Sequence, residues 1–164
     1  MTDLEIAKAN LGSHSICLCK DGKIITDDGR GISPMMRFIH EERDLRGYSV
    51  ADIIVGKAAA MLFVKTGIAA VYGKVVSNAA RDYLQQYQIP CTWDALTEKI
   101  INRKGDDICP MEKNVAGLED FEEGYLVLKV KLTALMRGGK QSCIKANSSR
   151  KYTATSASAV CACQ

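Results

Sequence analysis

The stretch Ser49-Val50-Ala51-Asp52-Ile53-Ile54-Val55-Gly56-Lys57-Ala58-Ala59-Ala60-Met61-Leu62-Phe63-Val64-Lys65-Thr66-Gly67 decides how the chain is read. From Val50 to Val64 only Asp52 and Lys57 are charged. Ser49 and Asp52 have the spacing of a capping box, and Gly67 stands where helices commonly stop. The pattern predicts one central helix, apolar nearly all round and therefore buried. Gly56, Ala58, Ala59 and Ala60 would give it a thin side that lets its backbone approach a sheet closely.

Upstream, Thr2 or Asp3 can cap a first helix carrying Leu4, Ile6, Ala7 and Leu11, ended by Gly12. A hairpin is predicted from Ser15–Lys20 and Lys23–Thr26 around Asp21-Gly22, a pair suited to a turn whose two central residues need positive φ. After the loop Asp27–Gly31, Ser33-Pro34 can open a short helix reaching about Arg43. Downstream, Ile68–Val76 reads as a strand, and Ser77 as the cap of a helix with Ala80, Tyr83, Leu84 and Tyr87 at helical spacing. Ile89–Trp93 reads as a second strand, with a turn of helix near Ala95–Ile101. A polar loop, Asn102–Asp107, leads to Cys109-Pro110-Met111-Glu112 and then to an amphipathic helix over Phe121–Leu135. Alternation of strands and helices predicts a three-layer α/β/α sandwich around a mixed sheet.

Of the 164 residues, 47% are hydrophobic and 25% charged, the balance of an ordinary globular protein. Residues 1–136 are expected to form one domain. Residues 137–164 form a basic tail rich in Ser, Thr and Ala, without periodicity, and are expected to be disordered. That tail holds Arg137, Lys140, Lys145, Arg150 and Lys151 and no acid. The 17 basic and 19 acidic residues before it give −2, against +3 for the whole chain. A mildly acidic domain argues against nucleic acid as a partner. No run is long and apolar enough for a membrane span, and the acidic Met1–Glu5 is unlike a secretory signal, so the expected location is cytoplasmic. The seven cysteines, at positions 17, 19, 91, 109, 143, 161 and 163, include no C-x-x-C pair, which indicates neither a disulfide framework nor a zinc knuckle. Cys17 and Cys19 fall on one strand face and suit packing.

Cys109 has the most chemical promise. Next to a proline at a first helical position, its sulfur would lie where unpaired amides favour a thiolate, and Glu112 could return to cap the same turn. A buried structural cysteine is the plainer alternative. Asn102 and Arg103 just upstream add an amide and an anion fork. Lys57, within an apolar segment, is a candidate acid/base or substrate-binding group, with snorkelling to the surface as its alternative. Asp52 is most simply a cap, with a ligand-binding role open to it at the mouth of the sheet. Gly29-Arg30-Gly31-Ile32-Ser33-Pro34 could cradle a phosphate, although a plain turn is the better reading of so weak a signal. His14 and His40 lie near no cluster that would make a Cys–His pair.

Gly31-Ile32-Ser33-Pro34, Ala51–Ala60, Val75-Val76-Ser77 and Asn102-Arg103 with Cys109-Pro110-Met111-Glu112 resemble, in order, a prokaryotic family of unknown function with a cytidine-deaminase-like fold. The resemblance spans about Asp3–Leu135. It implies a sandwich in which a zinc deaminase places H-x-E at the start of the central helix and P-C-x-x-C at the start of the next. Here those places hold Asp52–Lys57 and Ser77-Asn78-Ala79-Ala80, without the three ligands and separate Glu that zinc deamination needs. The expectation is therefore a recess at the helix starts that binds a small polar or nucleotide-like metabolite with no zinc and no other cofactor. Asp52, Ser77, Asn102, Arg103 and Glu112 would contact the ligand, and Cys109 and Lys57 are candidates for chemistry. A ligand sensor without catalysis on the same fold is the alternative, and a protein-interaction role for the basic tail a weaker one.

Overall fold

The computed structural model describes residues 1–138 and 160–161. Thr2 opens α1 (Asp3–Leu11) through a reciprocal capping box with Glu5, which satisfies amides that a helix start leaves unpaired. The hairpin β1 (Ile16–Lys20) and β2 (Lys23–Asp27) turns at Asp21 and Gly22, with φ of 50° and 75°, as the Asp-Gly pair predicts. Helix α2 (Ser33–His40) is shorter than expected. Its N-cap is Ile32, and Ser33 is its first residue.

The quoted stretch is not one helix. Ser49–Val55 is strand β3, and Lys57–Thr66 is helix α3, with Gly56 as the extended residue between them. Ser49 and Asp52 thus lie in a strand and cap nothing. A strand buried on both faces by neighbouring layers loses polar alternation and reads as an unbroken apolar run. Its β-branched residues, Val50, Ile53, Ile54 and Val55, are the local preference that the helical reading passed over. Gly67, at φ 72°, ends α3 as expected.

Next come β4 (Ala70–Ser77), α4 (Asn78–Gln86) and β5 (Cys91–Thr97). Ser77 caps α4 by accepting from the Ala80 amide at 3.1 Å. The expected helical turn at Ala95–Ile101 is instead the end of β5 and the short strand β6 (Ile100–Ile101). Helices α5 (Pro110–Val115) and α6 (Phe121–Gly138) follow. Of the tail, residues 137 and 138 lengthen α6 past the expected boundary, and Val160–Cys161 form β7, parallel to β6. The disorder expected for the rest of the tail lies outside the described residues.

The sheet order is β2-β1-β3-β4-β5, with β1 antiparallel to both neighbours and β3, β4 and β5 mutually parallel. On one face α1 packs Ala7 and Leu11 against Cys17, Cys19, Ala51 and Tyr72. The two cysteines point to this face together and are wholly buried, and burial pushes both thiols up. The other face carries the larger core, where Leu18, Val50, Val71 and Val76 meet Phe38 of α2, Met61, Leu62 and Phe63 of α3, Leu84 of α4, and Leu128 of α6. Layers of helix, mixed sheet and helix result, with α1 on the first side. Among the described residues no helix is long and apolar enough to cross a membrane.

Candidate functional site

The three parallel strands all end at one side of the sheet, at Val55, Ser77 and Thr97. Helices α3 and α4 begin at this same edge, directly after β3 and β4. A cavity of about 490 Å³ opens at this place, lined among others by Lys57, Ser77, Tyr83, Glu98, Glu112 and Glu119. Its size falls within the range of ordinary small-molecule pockets.

Lys57 is the first residue of α3, where the helix dipole disfavours a cation. Glu112 supplies the opposing charge. Its Oε2 accepts from the Lys57 amide at 2.9 Å and its Oε1 from the Ala58 amide at 3.0 Å, so one carboxylate from α5 caps the start of α3 across 55 residues of chain. Burial pushes the Glu112 carboxyl above its ordinary range, with the two amides and the Lys57 charge acting in the opposite direction. Gly56 makes the approach possible: a Cβ there would stand 2.3 Å from Oε1 of Glu112. The expected return of Glu112 to its own turn is thus replaced by a bridge between helices.

The Lys57 side chain is almost fully buried, at 9% exposure. Its Nζ donates to the Ala116 carbonyl at 3.1 Å and meets Oε1 of Glu119 at 3.5 Å, with the Tyr83 ring 5.8 Å away. It does not snorkel freely to solvent. The Tyr83 hydroxyl donates to the Glu119 carbonyl at 2.7 Å, which ties α4 to the loop before α6 and fixes one wall of the cavity. Burial holds the Tyr83 phenol above its usual range, so it serves as a donor at neutral pH.

The remaining candidates are separated. Cys109, 3% exposed, is the N-cap residue of α5, and it lines a second recess of about 180 Å³ together with Arg103. Glu112 borders both cavities. Asn102 closes its own loop: Oδ1 accepts from the Gly105 amide at 2.9 Å and Nδ2 donates to Asp106 at 2.7 Å. It lines neither cavity. Asp52 is the middle residue of β3 (Ser49–Val55) and also lines neither. Its Oδ1 accepts from the Ile54 amide at 3.2 Å, and burial pushes its carboxyl up to about 7. The placement expected for it at a helix start came from reading β3 as helix.

Tyr83 and Glu119 were missed as site residues. The first reads in sequence as one more core position at helical spacing, and the second as a solvated acid, so neither gave a usable signal. Arg30, marked only within a weak glycine-rich loop, lines the smaller recess with Gly31, Ile32 and Ser33. That loop is a closed turn, since the Ser33 amide donates to the Arg30 carbonyl at 3.0 Å. His14 pairs with Asp28 at 2.7 Å, and neither His14 nor His40 lines either of these two cavities.

Among the described residues no three His, Cys, Asp or Glu side chains gather into a set able to hold a metal ion. At the helix starts, a lysine ammonium and a serine hydroxyl already used as a cap do not fit a zinc centre.

Fold and cavity together define an α/β protein with a mixed five-stranded sheet and a polar recess at the ends of its parallel strands. Residues 7–132 match the family described as TM1506, a domain of unknown function (DUF1893), and the chain belongs to that family. The crystal structure of a DUF1893 family protein (TM1506) from Thermotoga maritima has the same fold, with a TM-score of 0.70 and 23% identity over 82% of this chain and 91% of that one. No curated protein matches this chain.

Proposed function

We propose that the chain binds a small polar metabolite, of nucleotide-like size or smaller, in the cavity at the starts of α3 and α4. The observation that carries this reading is Lys57. An ammonium group is costly to bury, and this one is held at a cavity wall by one carbonyl and a long contact to Glu119. A ligand oxygen in the cavity would complete its set of acceptors. Lys99 and Lys113 with Asp82 and Glu98 give the lining both signs of charge, which suits a polar rather than a greasy ligand. The sheet order, with helices entering after β3 and β4 beside one cavity, supports a cytidine-deaminase-like architecture whose metal chemistry is replaced by binding. The reading without catalysis is favoured because Cys109 lines the other recess and does not border this one.

A thermal-shift screen of the full chain against nucleosides, nucleotides, amino acids and small organic acids tests this, because a ligand specific to the folded state raises the melting temperature by mass action. At least one class should stabilise the parent, and Lys57→Met should abolish that shift while keeping its own cooperative melt. No stabilising compound, or one that stabilises Lys57→Met equally, would count against the proposal.

A further inference from the structure

The outward face of α6 departs from the usual pattern of a surface helix. Inward, Gly124 lies against Met61, and Phe121, Tyr125, Leu128 and Leu132 join the larger core. Helical periodicity turns Glu123, Leu126, Val130, Thr133, Ala134 and Arg137 to the opposite side, where a helix packed on a core normally carries polar residues. Here the middle of that stripe is apolar: Leu126 is 59% exposed and Val130 71%. Valine has a lower helix propensity than Ala, Glu or Lys, so the folding of α6 itself does not favour it at so open a position. Thr133 donates its hydroxyl to the Lys129 carbonyl at 2.8 Å, which satisfies the one hydroxyl of the stripe within the helix.

The two ends of the stripe carry opposite charges. Glu123 and Arg137 stand seven residues to either side of Val130, and Leu126 and Ala134 four. Among the described residues neither Glu123 nor Arg137 is ion-paired, whereas the neighbouring Glu122 is held by Lys65.

We infer that two copies of the chain meet on this face, with their α6 helices packed antiparallel about a twofold axis at Val130. Val130 then meets the partner's Val130, Leu126 meets the partner's Ala134, and Glu123 meets the partner's Arg137 at both ends, as a self-complementary twofold contact requires. Steps of three and four residues along the stripe are those of a coiled-coil seam. Parallel packing would instead set like charges together at each end, so the charges select the antiparallel pair. A contact along one helix falls at the small end of specific interfaces, below about 1,200 Å² in total, and micromolar rather than nanomolar association is expected. No residue of α6 lines the cavity beside Lys57, so this contact and the ligand proposed there can fail separately.

Sedimentation velocity of the full chain under reducing conditions, from low micromolar to near-millimolar concentration, tests the inference. The parent should show a monomer–dimer equilibrium. Val130→Glu should leave only monomer while melting like the dilute parent, since the side chain it replaces is mostly exposed. Glu123→Arg or Arg137→Glu alone should raise the dissociation constant about tenfold, because each reverses both end pairs. The double variant restores opposite charges across the contact and should return to within about threefold of the parent. A chain that stays monomeric throughout, a dimer that survives Val130→Glu, or a double variant no tighter than the single ones would overturn the inference. A monomer that instead binds anionic lipid vesicles, and loses them with Val130→Glu, would assign the face to a membrane surface and overturn it equally.

Discussion

Gly56 has backbone angles that any residue adopts, φ −97° and ψ 178°, so what excludes a side chain there is the carboxylate opposite. Gly56→Ala should cost about 1–3 kcal/mol, because the methyl must displace Glu112 from two amides that then lack acceptors. Glu112→Ala should cost a similar amount for the same lost hydrogen bonds. In the double variant the penalties should not add, since the methyl at position 56 then meets no carboxylate. Urea unfolding of the four proteins measures this coupling. Strictly additive losses would show that Glu112 does not hold the start of α3. Sequence marked Glu112 as a capping group but gave it the wrong helix, because a local capping motif carries no information about a partner 55 positions away.

At the scale of elements, legibility followed how far local pattern and tertiary burial agreed. The Thr2 cap of α1, one of the two caps the sequence offers, the Asp-Gly hairpin and the Ser77 cap of α4 rest on neighbouring residues, and each stands where the sequence places it. Strand β3 failed because its surroundings cover both of its faces and erase the alternation that marks a strand. The failure has a titratable consequence, since it puts Asp52 inside a buried strand. Burial raises the Asp52 carboxyl from 3.8 to about 7, so over that interval the folded chain holds a proton that the unfolded chain has released. Folding stability from this group is therefore lost as pH rises from the unfolded value, by up to about 4 kcal/mol, and levels off above the folded one. Asp52→Asn keeps an acceptor for the Ile54 amide and removes the titration. Its stability relative to the parent should rise across this interval, and parallel urea midpoints at pH 5 and pH 8 check it. A constant difference between the two proteins would rule out burial of Asp52 as the cause.

At the scale of the molecule, the sheet order brings distant segments to one edge, where three parallel strand ends, the start of α3 and the loop before α6 enclose the larger cavity. The fold class was legible because the strands and helices on either side of the misread stretch still alternate. The cavity was only half legible: Lys57 and Ser77 are conspicuous in sequence, whereas Tyr83 and Glu119 become site residues through the packing of α4 against the turn between α5 and α6. The same packing separates Cys109 and Arg103 into a different recess, although the sequence groups them with the rest. The central functional claim is that a polar ligand enters the larger cavity beside Lys57. An amide NMR titration of the isotopically labelled chain with a nucleoside monophosphate and amino-acid mixture tests it most directly. The expected result is saturable shifts centred on Lys57, Ser77, Ala79 and Lys113, with α1 unaffected. Saturable shifts centred elsewhere, or none at millimolar ligand, would contradict it.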